Sequence, residues 1–208
     1  MTARPLLFGS LLSGHSYKVR LALLLLGIEH DYRAIDLSRP RADRDSDWRR
    51  WSRFGEVPVL VADGRAMTQS NAILLHLART HDALGWRTDR DAVTEWLFWE
   101  ANRIGLSLPN YRLCQLSGAP LPPDVAGWLQ ERMIADLAWL EKELAERAFL
   151  VGDAVSAADI ACSAYLHYRD VPGLALRAYP AIDRWLGRIA ALPGWRAPLE
   201  VMGEGRPE

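Results

Sequence analysis

The sequence predicts a small α/β domain followed by an all-helical domain. Two patterns support this: strand-like and helix-like stretches alternate at first, and only helical stretches follow. Between the two regions lies a stretch of glycine and charged residues without a period. With 208 residues, half of them hydrophobic, the chain can bury the core of one large or two small domains. We therefore expect domains over residues 1–80 and 91–208, joined by a linker over residues 81–90.

The first half of the N-terminal domain is predicted as βαβα. A short apolar run at residues 5–9 indicates a buried strand. A helical pattern follows Ser13 and ends at Gly27, as expected for a serine cap and a glycine stop. A second strand is predicted at residues 31–35, and the arginine- and aspartate-rich residues 39–50 indicate a loop with a short surface helix.

The second half is predicted as ββα, which completes the order βαβαββα. Asp63-Gly64 is typical of a tight hairpin turn and lies between strand patterns at residues 57–62 and 65–68. The polar residues Gln69-Ser70-Asn71 then precede an apolar helical pattern, and we expect them to begin the last helix of the domain.

Helices alone are predicted beyond the linker. Apolar side chains recur at the three- and four-residue spacing of amphipathic helices that pack into a bundle. The predicted helices cover residues 92–105, 124–147, 156–168 and 180–192. Ser156 and Asp159 have the spacing of a capping box, so we expect them to begin a buried helix rather than to take part in catalysis.

Composition excludes several function classes. A net charge of −1 argues against a nucleic-acid-binding protein that relies on bulk positive charge. Cys114 and Cys162 lie far apart, which excludes a disulfide scaffold and a zinc pattern, and the histidines show no metal spacing. The apolar runs are too short to span a bilayer. We expect a cytoplasmic protein with no metal, membrane or nucleic-acid partner.

Four short patterns resemble the cytosolic glutathione S-transferases, in particular bacterial members with a serine-type active-site loop. They are Ser13-Gly14-His15-Ser16, Val57-Pro58, Gln69-Ser70 after the hairpin, and Phe149-Leu150-Val151-Gly152-Asp153 before Ser156-x-x-Asp159. Each pattern alone is weak, but their order and spacing together are specific. The resemblance covers essentially the whole chain. It implies a thioredoxin-like N-terminal domain that binds glutathione and a helical domain that contributes the electrophile pocket.

The resemblance implies that Ser13 activates the thiol of glutathione. Only the thiolate is the nucleophile, and lowering a thiol pKa by about two units requires about 2.7 kcal/mol of preferential thiolate stabilisation. A hydroxyl donor and a helix N-terminus can together supply much of that. Ser13 could instead only cap the helix, and Ser10, His15 and Ser16 are alternative activating residues.

The glutathione backbone is expected at the other two N-terminal patterns. The resemblance implies a cis Val57-Pro58 bond that turns the Val57 N–H and C=O towards the cysteinyl part. Ser70 would bind the γ-glutamyl carboxylate at a helix N-terminus, and Gln69 would accept from its ammonium. No single residue is assigned to the glycyl carboxylate of glutathione. Glu56 would repel that carboxylate if it pointed inward, and an arginine within residues 39–53 could compensate.

A small hydrophobic electrophile is expected to bind in a pocket formed by both domains. Pro109 should bend or break a helix there. Leucine and aromatic side chains at helical spacing are, however, more often core than pocket. The candidate pocket residues are Leu12 and His15 from the first loop and Leu108, Tyr111 and Cys114 from the second domain.

The resemblance thus implies a homodimeric transferase that uses glutathione as its co-substrate and needs no metal or redox cofactor. Two alternatives use the same site: glutathione-dependent isomerisation of a maleyl-type double bond, and glutathione-disulfide reduction. The active-site loop holds no cysteine, which argues against exchange through an enzyme thiol. A third alternative is a binding protein that keeps the fold without catalysis.

Overall fold

The computed structural model describes residues 4–116, 120–171 and 174–205. The chain divides into two compact units, Met1–Asp82 with Leu192–Glu208, and Ala83–Ala191. The predicted fold class is confirmed, since a βαβαββα unit is followed by helices. In chain order the first unit contains β1 (Leu6–Gly9), α1 (Gly14–Leu25), β2 (Asp31–Ala34), α2 (Ser46–Trp51), β3 (Val59–Ala62), β4 (Arg65–Thr68) and α3 (Ser70–His81), with a 3₁₀ turn at Arg41–Asp43.

The four strands form one mixed sheet in the order β2-β1-β3-β4. Strands β1 and β2 are parallel, while β3 is antiparallel to both β1 and β4. Parallel β1 and β2 need a crossover, which α1 provides, and the two-residue turn Asp63-Gly64 joins β3 to β4. Both turn residues have positive φ, 50° for Asp63 and 73° for Gly64, as a type I′ hairpin turn requires.

The two faces of the sheet pack against different helices. On one face Phe8 and Val59 form a buried cluster with Ile35 and with Trp48 of α2. Because side chains alternate along a strand, the neighbours of Phe8 point to the opposite face. There Gly9 lies so close to α1 that an added Cβ would stand 3.0 Å from the Cβ of Ser16. Glycine at this position lets α1 approach the sheet.

Within its described residues, the second unit contains helices and loops and no strand. Its helices are α4 (Trp86–Asn102), α5 (Ile104–Leu116), α6 (Pro123–Glu143), α7 (Ala157–Ser163) and α8 (Pro180–Ala190), with 3₁₀ turns at Leu166–Tyr168 and Leu176–Ala178. Helix α5 packs against α4, α6 and α7, and α8 packs against α6. Within the described ranges, no helix is long and apolar enough to cross a membrane.

Two sequence predictions about this unit are wrong. The linker predicted over residues 81–90 is helical from Trp86, although Asp89 has non-helical dihedrals and its carboxylate accepts from the Ala92 N–H at 2.9 Å. Asp89 therefore caps a new helical segment, which explains why the sequence pattern lacked a continuous period. Helix α5 was not predicted, and Pro109 lies inside it without ending it.

The capping box is confirmed and lies in the core. The Ser156 hydroxyl donates to the Asp159 carboxylate at 2.6 Å, and the Ser156 N–H donates to it at 2.8 Å. The carboxylate also accepts from the Leu150 N–H and the Trp185 indole N–H, both at 2.8 Å. Burial raises the pKa of Asp159, while these donors act in the opposite direction.

The C-terminal segment corrects the predicted domain boundary. The sequence assigned residues 192–208 to the second domain, whereas Leu192–Glu208 belongs to the first unit. This segment holds the short helix α9 (Pro198–Val201). The Tyr17 hydroxyl donates to the Arg196 carbonyl at 2.8 Å, and the buried Arg20 side chain donates to the Val201 carbonyl and to Glu204. These contacts join residues more than 170 positions apart, so no local pattern could predict them.

Candidate functional site

Three segments of the first unit meet at one edge of the sheet. Phe8 pairs with Val59 across β1 and β3, and Val59 pairs with Thr68 across β3 and β4. Because β3 is antiparallel to both neighbours, its start lies beside the ends of β1 and β4. The register therefore brings together the segments predicted from the sequence to bind glutathione: Ser13 after β1, Val57 and Pro58 before β3, and Gln69 and Ser70 after β4.

Ser13 caps α1 and still has a proton to donate. Its Oγ accepts from the Ser16 N–H and from the Ser16 hydroxyl, each at 3.1 Å. A hydroxyl oxygen has two acceptor sites and one proton, so this arrangement leaves the Ser13 proton available to a third group. The two interpretations that the sequence left open, helix cap and thiol donor, are therefore compatible. Ser16 is fully buried and its own proton is used on Ser13, which argues against Ser16 as the donor.

His15 is a poor candidate for a charged activator. Burial, and to a smaller extent the nearby Lys18 charge, lowers the pKa of its imidazole to about 3. His15 is therefore neutral at neutral pH and supplies no positive charge to a bound thiolate. Leu12, on the other side of Ser13, is an exposed side chain at the turn before α1.

The Val57-Pro58 peptide bond is cis, as predicted. Val57 stands outside the sheet, since β3 begins at Val59. Glu56, the residue before Val57, is fixed by two hydrogen bonds. Its carbonyl accepts from the Ser52 hydroxyl at 2.9 Å and from the Trp48 indole N–H at 3.3 Å. These two bonds fix the chain at the point where an extended peptide would add to the sheet edge.

Helix α3 begins without a side-chain cap among the described residues, in contrast to α1. Gln69 occupies the cap position with φ 68° and ψ 109°, a conformation rare for a non-glycine residue. Ser70 follows as the first helical residue and is buried. The first N–H groups of such a helix, together with the Ser70 hydroxyl, are suited to bind a carboxylate.

Lys18 was missed by the sequence analysis. Its side chain is fully buried in α1, and its Nζ donates to the Asn71 Oδ1 at 3.1 Å. The bond joins the second turn of α1 to the first turn of α3 and places the Lys18 ammonium between the two helices. One feature of the sequence could have indicated Lys18, namely that lysine is rare in this chain. Lys18 and Lys142 are its lysines, and all its other Lys or Arg positions are arginines.

Two further charged side chains, those of Glu56 and Arg41, lie near this edge of the sheet. The Glu56 carboxylate accepts from the Gln69 amide NH₂ at 3.0 Å. The Arg41 guanidinium lies against Gly55, where an added Cβ would stand 2.7 Å from its Nη1. Arg53, by contrast, stacks on the Phe54 ring at 5.0 Å. The arginine that the structure brings to the Gly55-Glu56 segment is thus Arg41.

Two family models match the chain. The N-terminal domain of glutathione S-transferase matches residues 12–80, and the C-terminal domain of glutathione S-transferase matches residues 119–188. Together the two matches cover more than half of the chain. The chain belongs to the glutathione S-transferase family. The resemblance drawn from the sequence is thereby confirmed.

Relatives within this family differ in their named reactions. The chain is 31% identical to the disulfide-bond oxidoreductase YfcG of Escherichia coli over 84% of this chain and 86% of that protein. It is 27% identical to a glutathione S-transferase of Triticum aestivum, over 95% of this chain and 94% of the relative. It is 26% identical to a probable maleylacetoacetate isomerase of Caenorhabditis elegans, over 93% of this chain and 92% of the relative.

A solved structure supports the same family. The crystal structure of glutathione S-transferase from Pseudomonas fluorescens is 31% identical in sequence, with a TM-score of 0.83. The match covers 95% of this chain and all of that chain. The transferase fold therefore extends over both units.

The predicted pocket residues of the second unit lie together on α5. Leu108 and Tyr111 are buried, and the Cys114 sulfur accepts from the Leu121 N–H at 3.3 Å. A pocket role for Leu108, Tyr111 and Cys114 stays a prediction, as it does for Leu12 and His15. Within residues 4–116, 120–171 and 174–205, no group of three or more His, Cys, Asp or Glu side chains is arranged to hold a metal ion.

Proposed function

We propose that this family member is a glutathione transferase that joins the sulfur of glutathione to a small hydrophobic electrophile. The bound thiol loses its proton to solvent, and the Ser13 hydroxyl donates a hydrogen bond to the resulting thiolate. The sulfur then attacks an electrophilic carbon, a C–S bond forms, and a leaving group departs with its electron pair. Glutathione is the co-substrate, and the proposed reaction uses no metal or redox cofactor. A homodimer and a cytoplasmic location stay predictions.

The observation that carries this proposal is the hydrogen bonding of Ser13. Its Oγ accepts twice from Ser16, which leaves its proton for a sulfur at the N-terminus of α1. A hydrogen bond to a charged acceptor and the helix dipole both favour the thiolate over the thiol. The buried Lys18 adds a positive charge at the same end of the helix. Each of these groups lowers the pKa of a bound thiol.

The rest of glutathione has a matching donor or acceptor in each segment at the sheet edge. Val57 would exchange backbone hydrogen bonds with the cysteinyl residue, as a short added strand. Ser70 and the open N-terminus of α3 would bind the γ-glutamyl carboxylate. For the glycyl carboxylate, Arg41 is the candidate that the structure offers, because its guanidinium lies against Gly55.

Calorimetric titration of glutathione, with thiolate absorbance followed across pH, tests the proposal. Wild type and Ser13→Ala are expected to bind with similar affinity. The pKa of the bound thiol is expected to fall by about two units in the wild type and by clearly less in Ser13→Ala, where only the helix dipole and Lys18 remain. Lys142→Ala, which lies in the helical unit, serves as the control that changes neither quantity. If the wild type binds no glutathione, the proposal fails; if Ser13→Ala keeps the lowered thiol pKa, another group activates the sulfur.

A second candidate is glutathione-dependent disulfide reduction, which the named activity of the Escherichia coli relative favours. The active-site loop has no cysteine, so the attacking sulfur would be that of glutathione. It would displace one thiol from a disulfide, and a second glutathione would release the other as glutathione disulfide forms. Purified enzyme assayed with an activated aryl chloride and with a small mixed disulfide separates the two reactions. Faster turnover of the aryl chloride supports the transferase, and turnover of the disulfide alone supports the reductase.

A further inference from the structure

Glu56 lies where a carboxylate was expected to disfavour the ligand, yet the structure gives it a defined partner. Its Oε2 lies 3.0 Å from the Nε2 of Gln69, and both side chains are exposed. The negative charge is therefore drawn towards the start of α3, next to Ser70. It stands at the end of the site where the γ-glutamyl group is proposed to bind.

The contact determines which way the Gln69 amide points. A carboxylate has no proton to donate, so the Gln69 amide must present its NH₂ group to Glu56. Its carbonyl oxygen then faces away from Glu56 and can accept a hydrogen bond from a ligand. The Gln69 backbone is fixed as well, because its carbonyl accepts from the Ile73 N–H at 3.0 Å and its φ is 68°. An uncommon backbone conformation of this kind is typical of a ligand-binding position.

The start of α3 therefore presents two opposite electrostatic features side by side. The open helix N-terminus and the Ser70 hydroxyl favour a negative group. The Glu56 carboxylate and the Gln69 carbonyl favour a positive group with protons to donate. The free α-amino acid end of a γ-glutamyl peptide carries both charges on one carbon, a carboxylate and an ammonium.

We propose that Glu56 binds the α-ammonium of the γ-glutamyl group and orients Gln69 to accept from it, so that the site selects thiols with an unmodified α-amino group. This inference rests on the proposed glutathione binding and specifies which end of the ligand determines selectivity. N-acylated or des-amino analogues are the ligands that the site discriminates against. The expected repulsion of a glycyl carboxylate by Glu56 is replaced by attraction of the ammonium at the opposite end.

A thermodynamic cycle tests the proposal. The probes are glutathione and its des-amino analogue, in which hydrogen replaces the ammonium, and the proteins are wild type and Glu56→Gln, titrated by calorimetry. An exposed charge-assisted contact predicts that Glu56→Gln weakens glutathione binding about fivefold and leaves the affinity for the des-amino analogue unchanged. Glu29→Gln removes the same charge from a surface residue paired with Arg4 and is expected to leave both affinities unchanged.

The outcomes separate this inference from the proposed function. If glutathione binds and Glu56→Gln weakens both ligands equally, Glu56 does not contact the ammonium and the inference fails. If Glu56→Gln tightens glutathione binding, the carboxylate repels the glycyl end, which also overturns it. Absence of glutathione binding to the wild type overturns the proposed function together with the inference.

Discussion

Serine caps a helix in each unit of this molecule, and the two caps differ in what happens to the serine proton. The Ser156 hydroxyl is buried, and its proton is bound by the Asp159 carboxylate at 2.6 Å. The Ser13 hydroxyl is only partly buried, and both of its bonds with Ser16 are accepted rather than donated. The first cap has no proton left for a ligand, whereas the second has one proton to give.

The comparison shows that a cap supports folding or chemistry according to its surroundings. Around Ser156, the Leu150 N–H and the Trp185 indole also converge on Asp159, so that every group is satisfied within the protein. Around Ser13, the loop after β1 lies at the sheet edge where Val57 precedes β3 and Gln69 follows β4. The helical unit thus contains a closed polar network, and the first unit contains an open one.

Removing Asp159 is expected to give the largest effect on stability. Asp159→Ala would leave four buried donors on Leu150, Ser156 and Trp185 without their acceptor. We expect a loss of about 3–5 kcal/mol in the free energy of unfolding, measured by urea denaturation. Asp183→Ala, in the exposed pair with Arg169, is the matched control and should cost less than about 1 kcal/mol. Equal losses would show that the capping box is not a closed network.

Truncating the two caps themselves should separate stability from chemistry. Ser156→Ala is expected to cost about 2 kcal/mol, because it also leaves a bond of buried Asp159 unmade, whereas Ser13→Ala is expected to cost about 1 kcal/mol, as for an ordinary cap. Urea denaturation of both variants measures this difference. A larger loss for Ser13→Ala would contradict the comparison, since it would make Ser13 the more important structural cap.

The smallest effect is expected in the pH dependence of stability. The pKa of His15 is lowered to about 3 in the folded protein, by burial first and by Lys18 second. Below the ordinary pKa of 6.5, the unfolded chain binds a proton that folded His15 does not, so stability falls as the pH decreases from 6.5 towards 3. His15→Gln should reduce the loss between about pH 7 and 5.5 by about 1 kcal/mol.

The buried His167 of the helical unit is the counterpart in this experiment. Its pKa is also lowered to about 3, by burial and then by Arg169. His167→Gln should likewise flatten the acid limb of the stability curve, and the double variant should flatten it further. An unchanged acid limb in His15→Gln would mean that His15 is not shielded from water near Ser13.

Local patterns were sufficient for most of the first unit. The serine before α1, the Asp63-Gly64 turn and the polar residues before α3 each encode a dihedral or a hydrogen bond within a few positions, and the observed elements begin and end close to where they were predicted. Local patterns failed at α5, where Pro109 indicated a bend or break, and at the linker, where the cap at Asp89 interrupted the period. Helix α5 packs against α4, α6 and α7, and this packing outweighs the local preference at Pro109.

The sequence by itself determined the order βαβαββα and the capping box, because each rests on residues close together in the chain. The cis Val57-Pro58 bond and the family followed from the resemblance that the four patterns carry together. Only the tertiary structure determined the Glu56–Gln69 contact and the burial of Lys18 against Asn71. It also placed Leu192–Glu208 with the first unit. These contacts join residues that are distant in the chain, so the packing of strands and helices, rather than any local pattern, decides them.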